Sequence, residues 1–471
     1  MGKIWDLEQY QGKIAIIDEN GNSLTYDMLI AESATLAKQI GKRCLIFCLC
    51  RNEIGSIIGY VSCINNGIVP IMINSHLEEN LLQNLYTTYL PSFVWIPKDQ
   101  ITQFPGLEQI YEAHEYCLLK TNCGKEYPLY NELALLITTS GSTGSPKLVR
   151  QSYVNILDNA TSIAEYLKLD DTERPITTLP MNYVYGLSII NSHFLVGATL
   201  LLTEKTLMQK GFWSFFKETR ATSFGGVPYT YEILDKLRFY RMDLPSLRTM
   251  TQAGGKITPE LHEKLAKYAE ENGKQFVVMY GAAEATSRMG YLPPERAIEK
   301  KGSMGIPIPG GKFRLIDENG KEITIPYTTG ELVYEGKNVT LGYAECGEDL
   351  IKGDERHGIL ETGDMAQFDE DGFYYIVGRK KRFLKIYGNR VNLDEVDRMI
   401  KGQYDVEVAC AGLDDHLFIF VTDATKADGI REYVIEKTKL NPAAFKTIVI
   451  DEIPKNDSGK TLYKELTKYY E

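Results

Sequence analysis

No two of the eight cysteines in this sequence (Cys44, Cys48, Cys50, Cys63, Cys117, Cys123, Cys346 and Cys410) are spaced as a CxxC pair. Without that spacing neither a zinc ribbon nor a dithiol redox motif has a starting point. Several of these thiols sit in apolar runs such as Cys44–Cys50, where they act as small hydrophobes. A disulfide framework is not favoured, and the expected compartment is the reducing cytoplasm. A long apolar run is also missing. The longest uncharged stretch, from Pro175 to Thr203, is interrupted by Pro180, Asn182, Gly186, Asn191, His193 and Gly197. It predicts a strand, a turn and a buried helix, not a membrane span. The opening residues MGKIWDLEQYQGK hold no apolar signal segment. Net positive charge is lacking too: the formal charge is -11, which argues against a nucleic-acid groove and for a soluble protein. No internal repeat or low-complexity segment stands out.

What is present is a chain of 471 residues, 44% of them hydrophobic, enough for a large core and more than one domain. In the first two-thirds, short β-branched runs alternate with amphipathic stretches. Strands are expected at Arg43–Cys50, Ile68–Ile73, Ser92–Ile96, Pro175–Leu179, Ala198–Thr203, Ala221–Val227 and Gln275–Tyr280. Helices are expected at Leu77–Tyr89, Val154–Leu167, Leu207–Arg220, Tyr229–Leu237 and Pro259–Glu271. This alternation predicts an α/β fold with mostly parallel, helix-covered sheets. From Gly310 the pattern turns to short strands between Gly-rich turns, a β-rich subdomain. After the basic cluster Arg379–Arg382 the tail has its own strands and helices. The expected division is therefore a large domain over 1–381 and a small α+β domain over 382–471.

The segment LLITTSGSTGSPK runs from Leu135 to Lys147. An apolar strand ends in Thr139, Ser140, Gly141, Ser142, Thr143, Gly144 and, three residues on, Lys147. Glycines let backbone N–H groups turn toward an anion, hydroxyls add donors and the lysine adds charge, a combination suited to a triphosphate. It is not a Walker loop, because Pro146 stands where the glycine before the lysine must be. The late Ser458–Gly459–Lys460–Thr461 fails the same test, with Pro454 in the place of the first glycine.

TSGSTGSPK resembles the phosphate loop of the adenylate-forming superfamily, which includes acyl-CoA synthetases, peptide-synthetase adenylation domains and luciferases. The resemblance continues in the family's order to about Lys460. Ala253–Gly254–Gly255 is similar to the loop that passes its backbone against adenine, and Tyr280–Gly281–Ala282–Ala283–Glu284 to the family's YGxTE. The resemblance implies that Tyr280 stacks on adenine beside Gly281, and that Glu284 coordinates the magnesium bridging the phosphates. It implies that Asp364, in Thr362–Gly363–Asp364, receives the ribose hydroxyls, and that Arg379 also reaches the ribose. Arg382 takes the hinge position, Lys385 and Gly388 the pantetheine channel. Lys460, in PKNDSGK, takes the place of the lysine that enters the site during adenylation. One departure is Ala283, where the family usually has a threonine that contacts the α-phosphate. A lost hydrogen bond to a charged group is worth about 1.5–3 kcal/mol, roughly ten- to a hundredfold in rate.

The resemblance implies ATP-dependent activation of a small carboxylic acid with Mg2+. The carboxylate attacks the α-phosphorus, pyrophosphate leaves, and Lys147, Lys460 and the metal stabilise the spreading charge. A phosphopantetheine thiol, of coenzyme A or of an acyl carrier protein, then takes the acyl group as the small domain rotates. Leu179–Leu187 resembles the segment that begins the acyl pocket, with Tyr183 and Tyr185 as walls together with Gly255. No acidic residue lies between Pro175 and Thr203 to pair with a substrate ammonium, which favours a non-amino acid. An amino-acid-activating carrier-protein ligase, and a nucleotide-binding protein with little turnover, are the alternatives.

Overall fold

The computed structural model describes residues 4–138, 147–387, 389–455 and 461–470. The chain divides into two compact units, one of residues 1–312 with 334–360, the other of 313–333 with 361–471. Both units are mixtures of sheet and helix, and the α/β architecture is the expected one.

The first unit is built on an eight-stranded sheet in the order Gly342–Ala344, Leu148–Ser152, Leu133–Thr138, Val69–Asn74, Leu45–Cys50, Phe93–Pro97, Tyr116–Lys120, Glu108–Ala113. Its four middle strands, from Leu133–Thr138 to Phe93–Pro97, run parallel. The strands outside them on both sides are antiparallel. Leu45–Cys50 is buried along its whole length, as expected of a parallel strand covered on both faces. The helix Ile54–Asn66 packs so closely that a Cβ on Gly59 would lie 2.4 Å from the Trp95 ring. A five-stranded sheet follows the order Ser223–Gly226, Thr249–Gln252, Gln275–Tyr280, Gly290–Tyr291, Ile306–Pro307, with its first three strands parallel. A small sheet pairs Ile14–Asp18 with Leu200–Leu202 and Ser23–Thr25. Among the described residues no helix is long and apolar enough to cross a membrane.

The second unit holds most of a four-stranded sheet (Lys312–Ile316, Gly330–Glu335, Ile359–Phe368, Tyr374–Arg379), the ribbon Phe383–Ile386 with Asn389–Asn392, and the sheet Val408–Leu413, His416–Val421, Phe445–Val449. Helices Leu393–Gln403 and Ala427–Thr438 pack on this last part.

The helix Pro259–Glu271 and the strand Gln275–Tyr280 fall where the pattern puts them. The uncharged stretch contains the expected buried helix, Val184–Leu195. Pro175–Leu179 is a correction: it makes only isolated bridges, Pro175 to Ser223 and Ile176 to Leu201. Pro175 has no N–H to give a ladder, and Pro180 follows closely. The helix Tyr26–Ile40 escapes the sequence reading, although Thr25 caps it by accepting from the Met28 N–H and Gly41 ends it at φ 76°.

Candidate active site

The strand Leu133–Thr138 leads out of the parallel sheet, and the chain re-enters at Leu148–Ser152, antiparallel to it. Lys147 stands at that re-entry. On the other side of Leu148–Ser152 lies Gly342–Ala344, with Tyr343 directly opposite Val149. The Lys147 Nζ consequently sits 3.8 Å from the centre of the Tyr343 ring, and 3.7 Å from a carboxylate oxygen of Glu345. The Tyr343 hydroxyl donates to Glu284 Oε1 at 2.6 Å. Arg356 approaches the same ring at 4.8 Å. One phenol thus joins the two charged residues that the resemblance assigns to the phosphates and the metal. Burial, with the Glu284 carboxylate second, pushes the Tyr343 phenol up to about 12, so it stays a neutral donor at any ordinary pH.

Glu284 lies in the short turn Ala283–Ala285 that follows the strand Gln275–Tyr280. Its carbonyl accepts from both the backbone N–H and the hydroxyl of Thr340, each at 3.0 Å. Gly281 makes the turn possible, since a Cβ there would fall 1.5 Å from the Ser287 carbonyl oxygen. Ala283 packs against the main apolar core. Magnesium keeps several waters and is bound by one or two carboxylates plus substrate phosphates. A single carboxylate held in place by a phenol and a fixed backbone fits that requirement. Among the described residues no three carboxylate, imidazole or thiol groups come together as an all-protein metal cage.

Gly254, Gly255 and Tyr183 also come together. Gly254 has φ 82°, and a Cβ there would lie 2.8 Å from the Tyr183 hydroxyl. Gly255 is backed by the Pro228 ring. Tyr183 and Tyr185 meet edge to face with ring centres 6.3 Å apart. Tyr185 is buried and anchored, its hydroxyl 2.7 Å from the Thr251 carbonyl oxygen. Tyr280 ends its strand, and its carbonyl accepts from the Met289 N–H.

In the second unit Asp364 and Arg379 face each other across an antiparallel pair, and Arg379 Nε reaches Asp364 Oδ1 at 2.6 Å. Gly363, at φ 68°, turns the chain ahead of the aspartate. Arg382 is buried and held by Asp394 at 2.7 Å, by Asp397 at 2.8 Å and by the Cys410 carbonyl, with its guanidinium 3.7 Å from the Tyr463 ring centre. Lys385 is exposed on its ribbon, where its backbone N–H donates to Asp414. Thr139, Ser140, Gly141, Ser142, Thr143, Gly144, Gly388 and Lys460 lie outside the described residues.

Sequence reasoning does not reach Tyr343, Arg356, Arg150 or Arg288. Tyr343 is 59 residues from Glu284 and becomes its partner only through strand pairing. Arg150 is fully buried and donates to the carbonyls of Leu341, Tyr343, Lys352 and Gly353 and to the Glu355 carboxylate. It fixes the strand that carries Tyr343. A charged residue inside the strand Leu148–Ser152 was the available signal, because a buried charge needs partners.

The model of the family described as AMP-binding enzyme matches residues 5–344. The chain is 24% identical over 472 residues to the 2-succinylbenzoate–CoA ligase of Bacillus subtilis (strain 168), covering 96% of this chain and 94% of that protein. It is 29% identical over 354 residues to the oxalate–CoA ligase of Arabidopsis thaliana, covering 72% and 67%. Its fold is similar to that of the o-succinylbenzoate CoA synthetase from Bacillus subtilis solved with an acyl-adenylate intermediate, with a TM-score of 0.79, 23% identity, and 98% and 96% of the two chains covered. With the family match covering most of its length, this chain belongs to the AMP-binding enzyme family.

Proposed function

We propose that this AMP-binding enzyme activates a carboxylic acid with Mg·ATP and passes the acyl group to the thiol of coenzyme A. In the first half-reaction a carboxylate oxygen bonds to the α-phosphorus and the bond to the pyrophosphate leaving group breaks. In the second, the thiol sulfur attacks the acyl carbon, AMP leaves and the thiol proton is released. Magnesium, when bound, neutralises charge developing on the phosphates. Glu284 would hold it, and Tyr343 keeps that carboxylate from turning away. Lys147 supplies positive charge from the opposite side of the same phenol. The observation that carries this reading is the Lys147–Tyr343–Glu284 cluster, at the edge of the sheet from which the phosphate-loop sequence emerges. The named relatives that match along the chain are CoA ligases, which supports coenzyme A over a carrier protein as acceptor.

The remaining roles belong to the same proposal. Residues 139–144 cradle the phosphates, Gly254, Gly255, Tyr280 and Gly281 border the adenine, and Asp364 with Arg379 receives the ribose. Arg382 is the hinge, Lys385 serves the thiol's approach, and Lys460 bridges the carboxylate and α-phosphate. A small domain beginning at 382 is supported by its own apolar clusters, which are formed by residues from Leu384 onward. A cytoplasmic location goes with eight unpaired cysteines and with substrates drawn from the ATP and coenzyme A pools. The test is exchange of labelled pyrophosphate into ATP across a panel of acids, followed by thioester assays with coenzyme A and with a carrier protein. Acid-dependent exchange and an acyl-CoA product are expected. ATP binding without exchange for any acid would overturn the reading.

A further inference from the structure

We infer that the acid activated at this site carries a second carboxylate, and that Arg288 is the group that receives it. This rests on the adenylation reading above and names its substrate class.

Three arginines are buried among the described residues: Arg150, Arg288 and Arg382. Burying a guanidinium requires partners for its charge and its donors, and two of the three have them in full. Arg150 is surrounded by carbonyls and a carboxylate, and Arg382 is held by two aspartates. Arg288 is different. It is 2% exposed, its Nε has no hydrogen-bond partner, and no carboxylate among the described residues pairs with it. Its guanidinium lies 3.9 Å from the centre of the Tyr185 ring.

The main chain under Arg288 is fixed in an unusual shape. Thr286 and Ser287 have φ values of 54° and 110°, a conformation that side-chain-bearing residues adopt only when their surroundings enforce it. Here Asn338 donates to the Ala285 and Arg288 carbonyls, Asn159 donates to the Arg288 carbonyl, and Thr286 donates to the Asn338 carbonyl. Strain held by buried amides, at the end of the loop that carries Glu284, places one cation against a cluster of tyrosines. Tyr166, Tyr183 and Tyr185 all feel its charge, which works against the upward push of burial on their hydroxyls. Tyr166 is stacked on Tyr291 with ring centres 4.3 Å apart. Tyr183, which abuts Gly254, belongs to both this cluster and the wall proposed for the acyl group.

A fixed cation beside aromatic rings selects its ligand in a definite way. A planar carboxylate matches the guanidinium fork and can take two parallel hydrogen bonds. An uncharged tail would leave the charge unanswered, and an ammonium would be repelled. The same cation that attracts a dicarboxylic acid therefore also works against an amino acid.

The test compares acids matched in length and shape, in the pyrophosphate exchange assay, over aliphatic and aryl dicarboxylic acids. Each is run beside its monomethyl ester, with the distal carboxylate capped, and beside the ω-amino acid. Two charge-assisted hydrogen bonds are expected to give at least ~100-fold higher kcat/KM for one or more free diacids than for the capped forms. In R288M that preference is expected to fall to about onefold, mainly through KM for the acid, and R288K is expected to keep part of it because it keeps the charge. Equal or better use of the capped acids by the wild-type enzyme would overturn the inference without any variant. So would an R288M enzyme that retains the preference. If no acid of any kind supports exchange, the adenylation reading itself falls and this inference with it.

Discussion

Replacing Tyr343 by phenylalanine removes one oxygen from the centre of the site and leaves the ring. The hydroxyl donates to Glu284 at 2.6 Å, while the ring faces Lys147 at 3.8 Å. A hydrogen bond to a charged group is worth about 1.5–3 kcal/mol. Tyr343 and Glu284 are only partly buried, so solvent can replace some of the loss and the lower end applies. About 1.5 kcal/mol corresponds to roughly tenfold. In Y343F the exchange rate at limiting Mg·ATP is therefore expected to fall about tenfold, with a higher magnesium requirement, because the Glu284 carboxylate is no longer held. Y343L also loses the cation–π contact, worth about 0.5–1 kcal/mol at a partly exposed site, and is expected to fall a further two- to fivefold. The assay is pyrophosphate exchange titrated with magnesium at fixed ATP. Burial, with Glu284 second, pushes the Tyr343 hydroxyl up to about 12. Its contribution is present throughout the working range, so the Y343F deficit should be the same at pH 6.5 and pH 9. A Y343F enzyme with wild-type magnesium dependence would refute the reasoning, and so would a deficit that disappears at one end of that pH range.

Substituting Arg150 by methionine leaves the carbonyls of Leu341, Tyr343, Lys352 and Gly353 without their shared donor. Glu355 is half exposed and can return to water, so a loss of about 3 kcal/mol is expected, the low end for a broken buried pair; urea unfolding measures it, and exchange should show a raised KM for Mg·ATP as Tyr343 loses its support. Burial pushes the His262 imidazole down from 6.5 to about 4. A folded-state value below the unfolded one favours the neutral ring, so this contribution is complete above pH 6.5 and is lost as pH falls from 6.5 toward 4. The total is about 3 kcal/mol, and H262F, which keeps an aromatic ring against Phe276, should flatten that part of the stability–pH curve; an unchanged slope would contradict it. A283T is expected to raise the exchange rate up to about tenfold by supplying a hydroxyl toward the α-phosphate, and an unchanged or lower rate would mean that Ala283 is not a missing donor.

How much of this was legible in the sequence depends on the range of the interaction. Strand Gln275–Tyr280 and helix Pro259–Glu271 are read correctly because their periodicity, and a proline at the first helical turn, are local. The strand expected at Pro175–Leu179 fails because β-branched composition says nothing about whether a partner offers a ladder. Pro175 and Ile176 each find a single bridge, to different strands. Gly281 was visible as part of a motif, but the reason for it was not. It is a glycine because the chain folds back on itself and places the Ser287 carbonyl where a Cβ would be.

The charged residues show the limit most clearly. Arg150, Arg288 and Arg382 each have an apolar neighbour on only one side in the sequence, and all three end up buried. Their partners set them apart, and those partners lie on other elements, as far away as Glu355 from Arg150. Where the folded chain satisfies the guanidinium completely, the arginine explains stability: Arg150 ties the strand of Tyr343, and Arg382 is tied to Asp394 and Asp397. Where it leaves a buried donor, the Arg288 Nε, unmatched beside the substrate's own proposed walls, stability is not the explanation, because a methionine would cost less to bury there. The Ala283 departure belongs to the same contrast. Thr340 fixes the turn of Glu284 through the Glu284 carbonyl, so the carboxylate keeps its place without any help from the side chain at 283. A loss at 283 would then be confined to one donor toward the phosphate, and the proposed specificity rests on a different residue, Arg288, whose carbonyl is held by Asn159 and Asn338.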